Sequence, residues 1–307
     1  MNLEKNEINL IGTLTGHQNP VFALAISRVN HDVLFTAGND KGVVEWDLKT
    51  MSFKRILCKV DSSVYSLLPL PGCNLLAIGM RSGKILIVDT EHQTLKASLN
   101  TDRGAIFSIK TMDEKKELIA IGEEGVAYVW SLESFELLYR FKVSQTTVRV
   151  IQVQPSGNLV AFGDKNGEVH LFNSDDFQEV QRQKVHEMPV TSLEFDQSGH
   201  LFSGGRDAKL FKLNMELEVQ KEIVPHMFTV YGIQMNQDKN LLATVSRDKT
   251  LKIWDPQNLK LIKNISRDRG FDSHYLSINA MLWNENKIIT ASDDKTIKVW
   301  QEILPKY

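Results

Sequence analysis

The segment Ser246-Arg247-Asp248-Lys249-Thr250-Leu251-Lys252-Ile253-Trp254-Asp255 combines a tight turn with a short strand that ends on tryptophan. The same pattern occurs early in the chain, over residues 38–47, and again at its end, over residues 292–300. Four weaker copies lie between them, over residues 81–89, 123–131, 165–173 and 206–214. The positions equivalent to Trp254 are 46, 88, 130, 172, 213, 254 and 300. A period of about 42 residues indicates a repeat architecture.

Each copy also has the same surroundings. A short apolar run opens it, as in Val21-Phe22-Ala23-Leu24-Ala25-Ile26, and a polar turn such as Gln154-Pro155-Ser156-Gly157-Asn158 follows. A second run, such as Leu241-Leu242-Ala243-Thr244-Val245, leads into the turn and strand quoted above. A last run, such as Leu137-Leu138-Tyr139-Arg140-Phe141, closes the copy. Four short strands in each of seven copies predict an all-β, seven-bladed propeller of antiparallel blades, numbered here 1 to 7 along the chain.

These repeats resemble those of the WD-repeat (WD40) β-propeller family. Gly16-His17, Trp46-Asp47 and Trp254-Asp255 match the signature of the family, and the resemblance extends over the whole chain. In such propellers an N-terminal strand completes the last blade, and the seventh copy here has room for only three strands. We therefore expect residues 1–307 to form a single propeller in which residues 7–14 complete blade 7.

Composition excludes several classes of protein. The chain of 307 residues has a net charge of −2, which argues against a non-specific binder of polyanions. Cys58 and Cys73 are too few for a disulfide framework and lack the spacing of a zinc site. No signal peptide or apolar spanning segment is evident. We expect a cytoplasmic, monomeric protein in a reducing environment, with no cofactor, no bound metal and no membrane association.

Histidine and aspartate recur in phase with the repeat, each set with a Ser or Thr four residues before the Asp. A Ser-His-Asp catalytic site is one interpretation. However, a catalytic site is needed once, whereas this set returns with every well-matched copy, so we expect no enzymatic activity. The resemblance implies a structural tetrad in which Trp, Thr, His and Asp are hydrogen-bonded within one blade. The complete sets are His17, Thr36, Asp40 and Trp46 in blade 1; His226, Thr244, Asp248 and Trp254 in blade 6; and His274, Thr290, Asp294 and Trp300 in blade 7.

The other blades depart from this pattern. Blade 5 has His186, Ser203 and Asp207 but Leu213 in place of the tryptophan. Blades 2, 3 and 4 lack both the histidine and the aspartate of the tetrad. They have Val60, Asp102 and Ser144 at the His position and Ser82, Glu124 and Asn166 at the Asp position. We therefore expect no tetrad in blades 2, 3 and 4.

The resemblance implies that the face bearing the tetrad His and Asp residues, around the central channel, binds peptides. Two positions in each blade commonly point toward that channel. The first lies just before the tetrad Asp and reads Asn39, Arg81, Glu123, Lys165, Arg206, Arg247 and Asp293. The second begins the innermost strand and reads Phe22, Tyr65, Phe107, Arg149, Thr191, Tyr231 and Asn279.

Four of these cations, Arg149, Lys165, Arg206 and Arg247, fall on the consecutive blades 4 to 6 and predict a basic sector. We expect a non-catalytic scaffold that binds an acidic or phosphorylated partner peptide on this face. The predicted contact residues are Phe22, Arg81, Arg149, Lys165, Arg206, Tyr231 and Arg247.

Alternatives to this interpretation stay open at the level of sequence. The cations can be solvated turn residues, and Phe22 and Phe107 can be core residues. The same cations, with Tyr231 as a stacking surface, can bind nucleic acid, although the near-neutral net charge makes this unfavourable. A small-molecule or catalytic propeller requires a polar cluster at the channel mouth that breaks the repeat, and only Glu123 and Asp293 suggest one.

Overall fold

The computed structural model describes residues 7–101 and 103–303. Asp102, which the sequence analysis placed at the His position of blade 3, lies outside the described residues. Regular structure in this part of the chain is almost entirely β-strand. Blades 1 and 2 comprise β2 (Val21–Ile26), β3 (Val33–Gly38), β4 (Gly42–Asp47), β5 (Ser52–Lys59), β6 (Val64–Pro69), β7 (Leu75–Met80), β8 (Lys84–Asp89) and β9 (Thr94–Asn100). Blades 3 and 4 comprise β10 (Ile106–Met112), β11 (Glu117–Gly122), β12 (Val126–Ser131), β13 (Leu137–Lys142), β14 (Val148–Val153), β15 (Leu159–Asp164), β16 (Glu168–Asn173) and β17 (Glu179–Lys184).

The remaining strands continue the same order from the channel outward. Blades 5 and 6 comprise β18 (Val190–Phe195), β19 (Leu201–Gly205), β20 (Leu210–Leu213), β21 (Val219–Ile223), β22 (Val230–Asn236), β23 (Leu241–Ser246), β24 (Leu251–Trp254) and β25 (Leu261–Ile265). Blade 7 comprises β26 (Ile278–Asn284), β27 (Lys287–Ser292), β28 (Thr296–Ile303) and, from the other end of the chain, β1 (Glu7–Thr15). One 3-10 turn, Arg267–Arg269, precedes blade 7.

Seven separate four-stranded sheets confirm the predicted seven-bladed propeller. Every sheet is antiparallel, and six of them use four consecutive strands. The seventh has the order β1-β28-β27-β26, so the N-terminal strand completes the last blade. Strand β1 pairs with β28 from Glu7↔Ile303 to Thr15↔Thr296, with a register shift between Leu10 and Gly12. The predicted closure is therefore confirmed, because the N-terminal strand covers the edge of β28 within blade 7.

The strand register repeats from blade to blade. In blades 1, 6 and 7 the tryptophan pairs with the second residue of the neighbouring strand, as Leu34↔Trp46, Leu242↔Trp254 and Ile288↔Trp300. The degenerate copies use the equivalent pairs Leu76↔Val88, Leu118↔Trp130, Val160↔Phe172 and Leu201↔Leu213. The sequence repeat thus coincides with a repeat in the pairing register of the strands.

Burial is greatest in the second strand of the blades and least in the outermost strand. Strand β23 is completely buried, whereas every residue of β13 except Phe141 is exposed. Clusters of buried apolar residues join neighbouring blades, as where Leu14 and Val21 pack with Ile289 and Val299 between blades 7 and 1. Burying such faces is the main favourable contribution to folding. Within the described residues, no helix has the length and apolar character required to cross a bilayer.

Candidate partner-binding face

Hydrogen bonds join the four predicted tetrad members in blade 1. The indole N–H of Trp46 donates to Thr36 Oγ1 over 2.7 Å, and Thr36 Oγ1 lies 2.7 Å from His17 Nε2. The other ring nitrogen, Nδ1, lies 2.6 Å from Asp40 Oδ2. Because the hydroxyl accepts from the indole, it donates to Nε2, and Nδ1–H then donates to the carboxylate.

Blades 6 and 7 contain the same arrangement. In blade 6 the distances from Thr244 Oγ1 to Trp254 Nε1 and to His226 Nε2 are 2.9 and 2.8 Å, and His226 Nδ1 lies 3.0 Å from Asp248 Oδ2. The corresponding distances in blade 7 are 3.2, 2.9 and 2.9 Å, among Thr290, Trp300, His274 and Asp294. All three threonine side chains are completely buried, so their hydroxyl groups cannot reach a substrate.

Burial also sets the charge state of the tetrads. It lowers the pKa of His17 and of His226, more than the hydrogen bonds to Asp40 and Asp248 raise it. Burial opposes ionisation of Asp294, but the hydrogen bond and charge of His274, together with hydrogen bonds from Thr296, outweigh it and bring the pKa of this carboxyl to about 2. A neutral imidazole bound to a carboxylate satisfies buried polar groups without a buried ion pair.

Blade 5 has three members of the tetrad and an aromatic substitute. His186 lies 2.9 Å from Ser203 Oγ and 2.9 Å from Asp207 Oδ1. The ring of Phe211 meets the imidazole edge to face, with 4.8 Å between the ring centroids. Leu213, at the tryptophan position, has no polar group that could donate to Ser203. The Ser203 hydroxyl is therefore hydrogen-bonded to His186 without an indole partner.

Blade 4 contains a buried network that the sequence reasoning missed. Asp164 is completely buried at the end of β15, where its Oδ2 accepts from the Ser144 hydroxyl over 2.6 Å and lies 3.4 Å from His170 Nε2. Its Oδ1 accepts the backbone N–H groups of Asn166 and Glu168, both over 2.9 Å. The carboxylate thus lies two residues before the expected position. Its signal in the sequence was an Asp at the end of an apolar strand.

This blade-4 network also contains the side chains with the closest approach to a metal site among the described residues. Carboxylate or ring atoms of Asp164, Glu168 and His170 lie within 4.8 Å of one another. However, both Asp164 oxygens already accept hydrogen bonds, and His170 Nδ1 lies 3.0 Å from Glu179 Oε1. Burial disfavours the protonated imidazole, but hydrogen bonds with Asp164 and Glu179 outweigh it and raise the pKa of His170. These hydrogen bonds account for the close approach of Asp164, Glu168 and His170.

A β-bulge lies near the start of every innermost strand. In each blade the register skips the second residue of that strand, as Phe22 is skipped between Val21↔Gly38 and Ala23↔Ala37. A bulge leaves its residue unpaired and redirects the side chain. The skipped residues are Phe22, Tyr65, Phe107, Arg149, Thr191, Tyr231 and Asn279.

All seven of these bulged residues line one cavity at the channel mouth, with a volume of about 630 Å³. Arg81, Glu123 and Ala105 complete its lining. Of the predicted contact residues, the structure thus brings together Phe22, Arg81, Arg149 and Tyr231. Lys165, Arg206 and Arg247 are exposed on turns at the same end of the blades and do not line this cavity.

Those turns have a common backbone contact. In every blade the residue of the first predicted set donates its N–H to the carbonyl just before the innermost strand. The seven donors and acceptors are Asn39 to Pro20, Arg81 to Ser63, Glu123 to Ala105, Lys165 to Thr147, Arg206 to Pro189, Arg247 to Thr229 and Asp293 to Ser277. The seven positions are therefore structurally equivalent and encircle the cavity.

The side chains around the cavity do not form a uniform basic sector. The rings of Phe22, Tyr65 and Phe107 form an arc, with centroid distances of 5.8 and 5.5 Å. Arg149 extends this arc, since its guanidinium carbon lies 4.9 Å from the centroid of Phe107. Arg247 lies over Phe228, at 5.8 Å. The cations therefore stack on Phe107 and Phe228, and the sequence had suggested Tyr231 as their aromatic neighbour.

The two acidic residues of the ring hold backbone and side-chain groups in place. Glu123 Oε2 accepts the N–H of Ala105 over 3.2 Å. Asp293 Oδ1 accepts from the Asn279 amide over 2.8 Å, and the same amide donates to Val21 O. Both carboxylates thus have structural partners at the channel mouth.

Comparison with known families identifies repeats of one kind along the chain. The family model described as "WD domain, G-beta repeat" matches residues 8–47, 218–255 and 266–301. A second model, described as "Anaphase-promoting complex subunit 4 WD40 domain", matches residues 110–198. These segments include the three complete tetrads and most of blades 3 and 4.

Three curated relatives show the range of similarity. Actin-interacting protein 1 of Drosophila melanogaster is 24% identical over 229 residues, which is 72% of this chain but only 37% of that protein. COMPASS component SWD3 of Saccharomyces cerevisiae is 25% identical over 195 residues, 54% of this chain and 58% of its own. Target of rapamycin complex subunit LST8 of Bos taurus is 23% identical over 247 residues, 76% of each chain. LST8 and SWD3 are, by these names, components of protein complexes. The matched repeats and the seven closed blades show that the chain belongs to the WD-repeat (WD40) β-propeller family.

Proposed function

We propose that this propeller is a non-catalytic scaffold that binds an acidic or phosphorylated segment of a partner protein on its tetrad face. The contact residues are Phe22, Arg81, Arg149, Lys165, Arg206, Tyr231 and Arg247. The observation that carries the proposal is the cavity of about 630 Å³ lined by seven bulged side chains, with exposed cations on the turns of blades 4 to 6 around it.

Physical chemistry favours an anionic segment at this place. The planar guanidinium group meets a carboxylate or a phosphate with two parallel hydrogen bonds. Backbone hydrogen bonds hold the turns of Lys165, Arg206 and Arg247, so these residues lose little backbone freedom on binding. The half-buried rings of Phe22 and Tyr231 add apolar area beside the charges, and aromatic residues are frequent hot spots.

Charge reversal tests the proposal. Partners of the wild type are identified by affinity purification with mass spectrometry, and their affinities are then measured with purified proteins. The double variant Arg206→Glu/Arg247→Glu should keep the melting temperature and weaken binding at least tenfold, which corresponds to about 1.4 kcal/mol. A control, Arg182→Glu/Lys221→Glu, reverses two exposed cations on the outer strands β17 and β21 and should leave affinity unchanged.

Two results would contradict this function. One is a partner that the Arg206→Glu/Arg247→Glu variant retains at full affinity. The other is a complex structure in which the partner lies on the opposite face, among turns such as Pro155-Ser156-Gly157.

A further inference from the structure

Three loops of the tetrad face expose large apolar side chains directly after the tetrad histidine. Met227 is 82% exposed and Phe228 53% in blade 6, and Tyr275 and Leu276 are 55% and 41% exposed in blade 7. Met188 in blade 5 is 40% exposed, two residues after His186. We call these five residues the apolar ridge. Contiguous exposed apolar area on a folded protein commonly marks an interaction site.

The ridge is confined to one side of the face. In the other blades, the three residues that follow the histidine position include no large apolar side chain. These residues are Gln18, Asn19 and Pro20 before blade 1, Asp61, Ser62 and Ser63 before blade 2, Arg103, Gly104 and Ala105 before blade 3, and Gln145, Thr146 and Thr147 before blade 4. The asymmetry breaks the repeat, so blade architecture alone does not require it.

The tetrads hold the ridge loops in a fixed conformation. Each of the carboxylates in these blades binds its histidine and also accepts the backbone N–H of the residue that follows this histidine. The distances are 3.2 Å from Glu187 to Asp207, 3.1 Å from Met227 to Asp248 and 3.2 Å from Tyr275 to Asp294. An apolar surface that is already ordered loses little conformational entropy when a partner covers it.

Backbone hydrogen bonds join the ridge loops of blades 5 and 6 to the turns that carry the cations. The N–H of Arg206 donates to Pro189 O, beside Met188, and the N–H of Arg247 donates to Thr229 O, beside Phe228. The guanidinium group of Arg247 also lies over the ring of Phe228. A partner that covers the ridge therefore meets Arg206 and Arg247 at its edge, and carboxylates there would complement the positive charge.

We propose that the apolar ridge docks an amphipathic segment of a partner protein, whose apolar side chains cover the ridge while its carboxylates face Arg206 and Arg247. This rests on the proposed function for the choice of face, and it adds an apolar contact surface outside the channel mouth. The His–Asp pairs of blades 5, 6 and 7 act as positioning groups for the ridge.

A library of random 16-residue peptides displayed on phage is the probe. We expect the peptides selected by the wild type to combine apolar and acidic residues. Met227→Ser/Phe228→Ser, which retains every cation, should weaken their binding at least tenfold. The control Leu95→Ser/Val180→Ser removes apolar side chains that are 59% and 57% exposed on the outer strands β9 and β17, and should change affinity less than twofold.

Salt separates this inference from the proposed function. Peptide binding that remains at 0.5 M NaCl should depend on Met227 and Phe228, because apolar contacts are not screened. Binding that salt removes should depend on Arg206 and Arg247. If Met227→Ser/Phe228→Ser binds the selected peptides as tightly as the wild type, the ridge is not the docking surface. The charge-reversal variant still tests the proposed function on its own.

The positioning role has a separate readout. Asp248→Ala, measured well below its melting temperature, should weaken peptide binding and speed hydrogen exchange at Met227 and Phe228, although every ridge side chain is still present. Unchanged affinity would refute the positioning role. Two further results would overturn the proposed occupant: ridge-dependent sedimentation with phosphatidylserine vesicles, or ridge-dependent self-association in analytical ultracentrifugation.

Discussion

At the scale of single residues, three buried histidines differ in the direction of their pKa shifts. His17 and His226 have lowered pKa values because burial disfavours their charged form. His170 has a raised pKa, since hydrogen bonds with Asp164 and Glu179 outweigh its burial. The difference follows from the partners, because His17 and His226 each have one carboxylate partner, whereas His170 lies between two carboxylates.

We predict that His17 and His226 destabilise the protein as the pH falls from 7.5 to 5.5. The unfolded chain protonates its histidines near 6.5, whereas these two take up protons at a lower pH in the folded protein, so their protonation favours unfolding. His170 acts in the opposite direction, because its stability contribution is complete below pH 6.5 and is lost as the pH rises through its higher folded pKa. Glu194, whose pKa burial raises to about 7, likewise favours the folded protein as the pH falls. The guanidinium midpoint at the two pH values measures the slope. His170→Gln should make the change in midpoint on acidification less favourable than in the wild type, and an equal or more favourable slope would refute this account.

We predict that Asp248→Ala lowers the free energy of unfolding by about 1–3 kcal/mol, because His226 and the N–H of Met227 lose their acceptor. Asn166, at the same position of blade 4, is exposed and should tolerate alanine at little cost. Denaturant midpoints of the two variants give the comparison. Equal shifts would count against a structural role for the tetrad.

At the scale of elements, the closure of the ring depends on one strand from the other end of the chain. Strand β1 pairs along the whole of β28, and Ile8 and Leu14 are buried between blades. Without β1, the edge of β28 and an apolar blade face would become exposed.

We predict that deletion of residues 1–14 costs several kcal/mol of stability. Deletion of residues 1–6 is the matched control, because it retains all of β1 (Glu7–Thr15) and its described pairs with β28. Thermal melts of the two truncated proteins and the full chain provide the test. If the chain that lacks residues 1–14 melts within about 2 °C of the full one, β1 does not support the ring as we propose.

At the scale of the whole molecule, the charge is nearly balanced, with 36 basic and 38 acidic residues. A long-range attraction for polyanions is therefore weak, and any electrostatic contribution to binding arises from the local sector of blades 4 to 6. Exposed charges of this kind are screened over about 10 Å at moderate salt.

We predict that affinity for the acidic partner falls steeply between 50 and 300 mM NaCl, and that this dependence largely disappears in Arg206→Glu/Arg247→Glu. A fluorescent single-stranded oligonucleotide should bind the wild type much more weakly than the partner does at 150 mM NaCl, as measured by anisotropy. Tight oligonucleotide binding that the double variant loses would favour the nucleic-acid alternative instead.

The sequence by itself determined the number of blades, the closure by the N-terminal strand and the seven positions that begin the innermost strands and line the channel mouth. These features follow from local patterns, because turn chemistry, apolar strands and the tryptophan recur at a fixed spacing. Only the tertiary structure decided how individual side chains are paired. Asp164 forms a buried hydrogen-bond network in blade 4, Arg149 stacks on Phe107, and the carboxylates of Asp207, Asp248 and Asp294 accept backbone N–H groups of the loops that carry the apolar ridge. Such contacts join residues that are distant in sequence or lie on neighbouring blades, so their geometry depends on how the blades pack and not on the spacing of residues along the chain.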